Sequence, residues 1–324
     1  MEIQEVFDLV SEDLKKVETE LSRNVLSQVL LIPEVSNYIL LSGGKRFRPL
    51  ILILAARFCG HTGNHSIRLA SVFEFIHTAS LLHDDVVDNA QLRRGNSSVN
   101  SVWGSKTSIL IGDYLFSKSF SLLTSFGDLQ VLNILSDATT RLAEGEIMEL
   151  IQCGNPFITE EDYLGIITEK TAALISAACH VGAVLGNAPH KKEMALKDFG
   201  LNLGIAFQLM DDLFDYESTE EELGKSIGKD LYEGKITLPL ITTLGASDKS
   251  DKERIIKIIE SENRTKEDVL EIINLARNYK GVEHTFGKAR EYVQKAKSSL
   301  IDFEYSLEKE ALLTAADYVT ERRW

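Results

Sequence analysis

The sequence predicts an all-α protein, folded as a single domain over residues 1–324. Val, Ile and Leu recur at three- and four-residue spacing through long segments, while the apolar–polar alternation typical of strands is scarce. Only five prolines occur, so few positions interrupt a helix. Hydrophobic residues make up 44% of the chain, and no Pro-, Ser- or Gly-rich linker divides it. A single helical bundle is therefore expected.

Helix starts and stops follow from proline, glycine and capping residues. Gly43 and Gly44 end a helix, and Pro49 suits the start of the next one, which is apolar almost throughout and therefore buried. Thr159 and Asp162 have the spacing of a capping box. We predict helices at 3–31, from a turn at Pro33 to 42, at 50–58, 67–89, 108–124, 129–153, 160–186, 191–217, 236–246 and within 250–324, with loops at 93–105 and 220–234.

Composition excludes several classes of protein. A net charge of −14 argues against nucleic-acid binding, which usually shows a basic surface. Three widely spaced cysteines without a CxxC pair are typical of a reduced, cytoplasmic protein. The acidic residues of 1–14 are unlike a secretory signal. The most apolar stretch, 172–186, is too short to span a bilayer, so no membrane span is expected.

Two Asp-Asp-x-x-Asp motifs, at 84–88 and 211–215, are the most informative feature of the chain. Each follows a strongly apolar stretch. On a helix, residues four apart share a face, so the first and last aspartates of each motif point the same way. Carboxylates beside a core are costly unless paired or coordinated. Oxygen ligands favour Mg²⁺, which completes its coordination with water and substrate phosphates. A diphosphate substrate and Mg²⁺ are therefore predicted.

Basic clusters near these motifs are candidates to hold the anionic end of a substrate. They are Lys45 with Arg48, Arg93 with Arg94, and the glycine-spaced lysines Lys225, Lys229 and Lys235. A basic loop alone is usually a solvated surface, so each cluster is weak support. His77 lies two helical turns before Asp84, on the same face. Lys170, Thr171 and Gln208 are further candidates to face the same cavity.

The motifs together resemble the all-trans polyprenyl diphosphate synthases, and within them the bacterial octaprenyl diphosphate synthases. The matching stretches are GGKRFRP (43–49), EFIHTASLLHDDVVD (74–88), RRG (93–95), GD (112–113), AEGE (143–146), KTA (170–172), FQLMDDLFDY (207–216) and LGKSIGKDLYEGKITLPL (223–240). The resemblance implies an isoprenoid synthase fold, an all-helical bundle around a deep central cavity. It also implies a homodimer whose octaprenyl (C40) product is membrane-bound and supplies a quinone side chain.

The resemblance also implies residue roles. Asp84, Asp88, Asp211 and Asp215 resemble the metal ligands, with Asp85 in support, Asp212 as a further second-motif candidate and Lys170 beside them in catalysis. Lys45, Arg48, His77 and Arg94 resemble the isopentenyl diphosphate site. The residues that resemble contacts to an allylic diphosphate, for which farnesyl diphosphate is expected, are Arg93, Lys170, Thr171, Gln208, Lys225 and Lys235.

Product length is expected to depend on the space below the first motif. Ala79 and Ser80 are small and leave a passage for a growing chain, although small residues also serve helix packing. Phe73 lies about 16 Å below Asp84 at the usual helical rise. Candidate wall or floor residues are Phe73, Ile76, Phe116, Phe120, Leu123 and Leu135. This pattern predicts a long product, and synthases from geranylgeranyl to decaprenyl length remain alternatives.

Three other readings remain open at this point. A terpene cyclase shares the first aspartate motif but usually carries a different second metal motif. A non-catalytic subunit of a two-component synthase lacks intact aspartate motifs, whereas this chain has two. An acidic helical scaffold that only binds metal has no need for three basic clusters. The sequence therefore favours condensation of isopentenyl diphosphate onto an allylic diphosphate.

Overall fold

A computed structural model describes residues 1–44, 46–217, 228–261 and 263–322 of the protein. The prediction of an all-α fold is confirmed. The helices are α1 (Ile3–Asn24), α2 (Leu31–Leu41), α3 (Phe47–Phe58), α4 (His65–Val87), α5 (Val99–Trp103), α6 (Ser105–Phe126), α7 (Leu129–Gln152), α8 (Glu160–Ile167), α9 (Ala173–Leu185), α10 (His190–Glu217), α11 (Lys229–Glu233), α12 (Leu238–Ala246), α13 (Lys249–Ile259), α14 (Lys266–Asn278), α15 (Gly281–Ser299) and α16 (Leu307–Glu321).

The chain divides into two compact units. Unit 1 comprises residues 1–139, 175–200 and 300–315, and therefore contains the first aspartate motif. Unit 2 comprises residues 140–174, 201–299 and 316–324, and contains the second motif. A single domain over 1–324 stays a prediction.

Helices α3 and α4 form the core of unit 1. The α3 residues 50–56 are 0% exposed, because this helix is apolar on all sides. Helix α4 packs against α1, α3 and α6. It buries aromatic side chains on more than one face, including Phe73 and Phe75, both 0% exposed. Since α4 is held on three sides, its C-terminal end, which carries the first motif, has a fixed position.

In unit 2, the second half of α10 and helix α12 are the buried elements. Leu203, Ala206 and Leu209 of α10 are 0% exposed. Gly204 lets α10 approach residue Ala172 closely, since a Cβ at this glycine would lie 2.5 Å from the Ala172 Cα. Helix α12 packs against α8, α14 and α15. The close approach at Gly204 positions α10, the helix that carries the second motif.

Two predictions near the N-terminal half were wrong in detail. The first helix ends at Asn24 instead of residue 31. The side-chain amide of Asn24 donates to the Glu20 carbonyl oxygen at 2.8 Å. The apolar residues that extended the apparent period, such as Leu26 and Leu30, are exposed (69% and 78%). Pro33 lies within the first turn of α2, where the missing N–H costs nothing.

Part of the predicted loop at 93–105 is ordered as a hairpin and helix α5. Strand β1 (Leu92–Arg93) pairs antiparallel with β2 (Asn96–Ser97). Between them, Arg94 and Gly95 have φ values of 51° and 79°, as a two-residue type I′ turn requires. Two-residue strands are too short to show a period in the sequence.

The helix predicted at 160–186 is interrupted by a π-helical turn, Thr168–Ala172. Turns of this kind are frequent at functional sites. The predicted capping box is confirmed, because Thr159 Oγ1 accepts from the Asp162 N–H at 3.1 Å and the Asp162 carboxylate accepts from the Thr159 N–H at 3.1 Å.

Among the described residues, one helical stretch, Glu160–Leu185, is long and apolar enough to cross a membrane by length and composition alone. However, 67% of its most apolar window is buried within the fold. A core helix of a folded domain has the same properties, so this stretch is weak support for a membrane span.

Close packing of α9 against α3 in unit 1 generates a stability prediction. A Cβ on Gly182 would lie 2.8 Å from the Ala56 backbone nitrogen and 2.8 Å from the Leu52 carbonyl oxygen. We expect Gly182→Ala to lower the free energy of unfolding by about 1–3 kcal/mol, as overpacking does, in urea titrations.

Gly287→Ala is the matched control, since Gly287 lies within α15 and no described atom lies within 4 Å of the added methyl group. This variant should be neutral or gain up to about 1 kcal/mol from helix propensity. Equal stability of Gly182→Ala and the parent chain would contradict the packing argument.

Candidate active site

The first motif is divided into outer and buried aspartates. Asp84 and Asp88 are half-buried, whereas Asp85 is 0% exposed. Arg93 binds the Asp85 carboxylate through Nε, at 2.7 Å from Oδ1 and 2.8 Å from Oδ2. A buried carboxylate is costly unless it is paired with a cation or hydrogen-bonded. Asp85 is therefore held inside the fold, while Asp84 and Asp88 lie one helical turn apart on the outer side.

Cations gather around His77 in unit 1. Burial lowers the pKa of the His77 imidazole well below its usual 6.5, and nearby arginine cations lower it further. These cations belong to Arg48, Arg94, Arg93 and Arg46. The Arg94 guanidinium also donates to the Gly43 carbonyl oxygen, which links the hairpin to the glycine pair. A neutral imidazole among arginines suits an anionic ligand.

The second motif repeats the division of the first. Asp212 is 5% exposed, while Asp211 and Asp215 are half-buried. The Tyr163 hydroxyl donates to Asp212 Oδ2 at 2.5 Å, and Gln208 Nε2 donates to Oδ1 at 2.7 Å. Thr171 in turn donates to Gln208 Oε1 at 2.8 Å. The buried aspartate of this motif is therefore held by neutral donors rather than by an arginine.

This difference in partners affects protonation. Burial raises the pKa of Asp212 to about 7, although its hydrogen bonds with Tyr163 and Gln208 act in the opposite direction. Burial and the neighbouring carboxylates of Asp215 and Asp212 also raise the pKa of Asp230 well above its usual value. Asp212 and Asp230 in unit 2 are therefore both shifted toward their protonated forms.

The outer aspartates of the second motif have their own contacts. Asp211 Oδ1 lies 2.5 Å from Nη2 of Arg322, near the end of the chain. Both oxygens of Asp215 accept backbone N–H groups, from Lys229 and Asp230, at 2.9 Å each. Together these contacts hold the start of α11 against the motif.

Lys170 lies in the π-helical turn between two carboxylates. Its Nζ is 2.7 Å from Glu146 and 2.6 Å from Glu149, both on α7. Gly145 permits this approach, because a Cβ there would lie 2.3 Å from the Lys170 backbone nitrogen. Lys235 Nζ is 2.9 Å from Glu233 and 3.8 Å from Glu149. Both lysines are thus already oriented by acidic side chains.

A cavity of about 140 Å³ in unit 2 brings several predicted residues together, namely Lys170, Gln208, Asp212 and Lys235. Its apolar wall includes Ile166, Ile167 and Ile236. Predicted residues Lys45 and Lys225 lie outside the described residues.

The predicted chain-length residues lie in unit 1. Those that are at most 1% exposed are Phe73, Ile76, Ala79, Leu123 and Leu135. Ser80 is half-buried and donates to the His77 carbonyl oxygen at 2.9 Å. Phe116 is 37% exposed, with its ring centroid 5.3 Å from that of Phe120. Their role in setting product length stays a prediction.

Within the described ranges, three or more His, Cys, Asp or Glu side chains do not converge as a metal-binding cluster. The outer aspartates still offer pairs of carboxylates one helical turn apart in each unit. Carboxylate oxygens are the ligands that Mg²⁺ prefers, and Mg²⁺ needs only one or two from the protein when phosphates supply the rest. The donor set therefore fits the predicted ion.

Sequence reasoning missed the residues that hold the site together. Tyr163 and Glu149 lack any local motif signal, because an aromatic residue and a glutamate are ordinary in helices. Glu146 falls within the AEGE stretch, but its contact with Lys170 depends on tertiary packing. The sequence also gives no local signal for Arg322, because its partner, Asp211, lies 111 positions away.

The Tyr163–Asp212 hydrogen bond generates a pH prediction. Because the folded-state pKa of Asp212 is about 7 against 3.8 for a free carboxyl, the folded chain retains a proton that the unfolded chain releases between these values. Stability should therefore fall as pH rises through this window. Tyr163→Phe removes a donor to the carboxylate, so it should raise this pKa further. We expect a loss of about 2 kcal/mol at pH 8 and less at pH 5, in metal-free urea titrations.

Tyr38→Phe is the matched control, because the Tyr38 hydroxyl donates to a neutral acceptor, the Ser97 carbonyl oxygen, at 2.7 Å. Its cost of about 1 kcal/mol should not vary between pH 5 and 8. A Tyr163→Phe loss that is the same at both pH values would contradict the assignment.

Comparison with known proteins identifies the family. A sequence model described as polyprenyl synthetase matches residues 29–276. The chain is 39% identical to octaprenyl diphosphate synthase of Escherichia coli, with 99% of both chains covered. A crystal structure of polyprenyl synthase from Caulobacter crescentus, complexed with calcium and isoprenyl diphosphate, has a TM-score of 0.96 at 38% identity and covers 99% of this chain and 98% of its own. A decaprenyl diphosphate synthase from Rhodobacter capsulatus has a TM-score of 0.93 at 38% identity, covering 98% of each chain.

These similarities confirm the resemblance and the prenyltransferase activity predicted from the motifs. They extend over nearly the whole chain and include both aspartate motifs. The protein belongs to the polyprenyl synthetase family.

Proposed function

We propose that the protein condenses isopentenyl diphosphate units onto an allylic diphosphate, farnesyl diphosphate, to make all-trans octaprenyl diphosphate. The observation that carries this proposal is the shared division of the two motifs, in which the second aspartate is buried and the first and fifth are half-buried. Such a pattern leaves two pairs of carboxylates on the outer sides of two helices. The similarity to octaprenyl diphosphate synthase supports the product.

Asp84 and Asp88, and separately Asp211 and Asp215, would hold Mg²⁺. The metal, when bound, neutralises the allylic diphosphate and makes it a better leaving group. Asp85 and Asp212 act as positioning residues, since each is buried and paired within the fold. Carboxylates alone would repel a diphosphate, so cations are required at both motifs.

The basic residues divide between the two substrates. Arg48, Arg94, neutral His77 and Lys45 bind the diphosphate of isopentenyl diphosphate. Lys170, Thr171, Gln208, Lys225, Lys235 and Arg93 bind the allylic diphosphate. Arg93 is bound to Asp85, so it contributes charge beside the first motif.

The chemistry requires a dry, oriented site. Departure of the diphosphate leaves an allylic cation, which survives only where water is excluded. The isopentenyl double bond attacks this cation, forming a new carbon–carbon bond, and loss of a proton to the departing diphosphate restores a double bond. Arg48 and Arg94 hold the diphosphate of isopentenyl diphosphate and thereby orient that attack. The chain grows by five carbons, and the product becomes the next allylic substrate.

Product length is set by the buried residues below the first motif. Ala79 is 0% exposed, so a larger side chain at this position would fill space rather than enter solvent. Leu123 and Leu135 are candidates for the floor of the passage. Decaprenyl diphosphate is the alternative product, because the chain is 38% identical to the Rhodobacter capsulatus enzyme and 39% identical to the Escherichia coli enzyme.

The functional form is a cytoplasmic homodimer that supplies a quinone side chain. Exposed apolar side chains on α6 support pairing with a second copy: Ile109 is 41%, Leu110 66% and Phe116 37% exposed. All three cysteines, which lie within the described residues, are free thiols, as expected in a reducing compartment.

The metal assignment predicts loss of activity on charge removal. Asp84→Asn and Asp211→Asn should each lower kcat by at least about a hundredfold, because they remove the charge that holds Mg²⁺. The measurement is incorporation of labelled isopentenyl diphosphate with farnesyl diphosphate and Mg²⁺. Asp302→Asn, which removes a surface carboxylate 3.0 Å from Lys191, is the control and should retain parental kcat. Parental kcat in Asp84→Asn or Asp211→Asn would overturn the assignment.

The passage below the first motif predicts a shorter product on blockage. Ala79→Tyr places an aromatic ring in the core of unit 1, so it should stop elongation near farnesyl or geranylgeranyl length. Chromatography of the dephosphorylated lipids measures this outcome. Ser71, 1% exposed and two turns earlier on α4, provides a control site at which Ser71→Ala should leave product length unchanged. A C40 product from Ala79→Tyr would remove the length assignment.

A further inference from the structure

Arg46 lies within the GGKRFRP stretch, residues 43–49. Its backbone adopts φ 47° and ψ 41°, the left-handed region that residues other than glycine rarely occupy. Its carbonyl oxygen accepts the Leu50 N–H at 2.9 Å, so Arg46 begins α3. Arg48 follows as the second residue of that helix. The conformation of Arg46 therefore decides where the first turn of α3 points.

The Arg46 guanidinium is fully engaged within unit 1. Its Nε lies 2.5 Å from Glu18 Oε1 on α1, and its Nη1 lies 2.9 Å from Glu74 Oε2 on α4. Nη2 donates to Glu18 Oε2 at 3.2 Å and to the Leu40 carbonyl oxygen at 2.5 Å. The side chain is only 12% exposed. With these four contacts in place, the guanidinium is turned toward protein acceptors instead of a ligand.

Glu74 is the deepest member of this group, with 5% of its side chain exposed. It lies one helical turn before His77 on α4, and its charge also acts on Arg94. A buried carboxylate at this position offsets repulsion among the clustered arginines.

We propose that Arg46, Glu18 and Glu74 form a positioning triad that fixes the anion-binding loop for isopentenyl diphosphate. The triad ties the start of α3 to α1 and to the helix that carries His77. Its role is to place Arg48 and the loop before it, and Arg46 does not itself bind the diphosphate. This inference rests on the proposed function, in which that loop binds isopentenyl diphosphate.

Arg57 provides a matched control that distinguishes an effect on loop positioning from an effect on stability. Arg57, at the other end of α3, binds Asp13 of α1 at 2.5 Å and the Leu9 carbonyl oxygen at 2.9 Å. It therefore makes the same kind of contact between the same two helices as Arg46. Arg57 lies three turns from the loop, so it contributes to stability without touching the anion-binding turn.

The test compares steady-state kinetics of Arg46→Gln, Glu74→Gln and Arg57→Gln in the full-length chain. Arg46→Gln and Glu74→Gln should raise KM for isopentenyl diphosphate by about ten- to a hundredfold, since small misplacements of a binding group have effects of this size. KM for farnesyl diphosphate and kcat at saturating isopentenyl diphosphate should stay near parental values. Arg57→Gln should lower thermal stability while leaving both KM values unchanged.

Two results would overturn the triad. One is an unchanged KM for isopentenyl diphosphate in both Arg46→Gln and Glu74→Gln; the other is an equal rise in Arg57→Gln. If Arg46→Gln does not fold, Glu74→Gln alone carries the test, because it retains the arginine and the Glu18 contacts. Arg48→Gln distinguishes the underlying function: if it leaves KM for isopentenyl diphosphate unchanged, the assignment of the loop to that substrate fails, and the triad with it.

Discussion

A buried aspartate at the second position of each Asp-Asp-x-x-Asp motif is the constraint on which the site depends. Asp85 is held by Arg93 and Asp212 by Tyr163 and Gln208, and both carboxylates lie inside their units. Because a buried carboxylate requires partners, the partners fix the rotation of each helix about its axis. The first and fifth aspartates are then half-buried on the outer side of each helix, where the proposed function assigns them to Mg²⁺.

The chain carries a net charge of −14, yet the proposed function requires it to bind two diphosphates. Several of the cations predicted to bind these diphosphates are paired with carboxylates within the fold. Lys170 lies between Glu146 and Glu149, and Arg93 lies against Asp85. Such pairs orient long basic side chains before substrate arrives, which lowers the entropy lost on binding. The overall charge therefore says little about the site, whose local charges are arranged one by one.

Much of the architecture was predictable, because helix periodicity and the aspartate motifs are local signals. The helix from 191 to 217 and the capping box at Thr159 are examples in which pattern and structure agree closely. Tertiary contacts were not predictable: nothing near Tyr163 indicates a bond to a residue 49 positions away. The hairpin at Arg94 and the π-helical turn at Lys170 were also missed, because both are too short to show periodicity. The candidate site residues were predicted from motifs, whereas the residues that hydrogen-bond to them were identified only from the tertiary structure.

The division into outer and buried aspartates is tested most directly by counting metal ions. Mn²⁺ in place of Mg²⁺, together with an unreactive thio-diphosphate analogue of the allylic substrate, allows bound ions to be counted by electron paramagnetic resonance. Asp84→Asn and Asp211→Asn should each bind fewer ions per chain than the parent. Asp85→Asn and Asp212→Asn should bind the parental number, with weaker affinity. If instead the buried-position variants lose ions and the outer-position variants keep them, the account is contradicted.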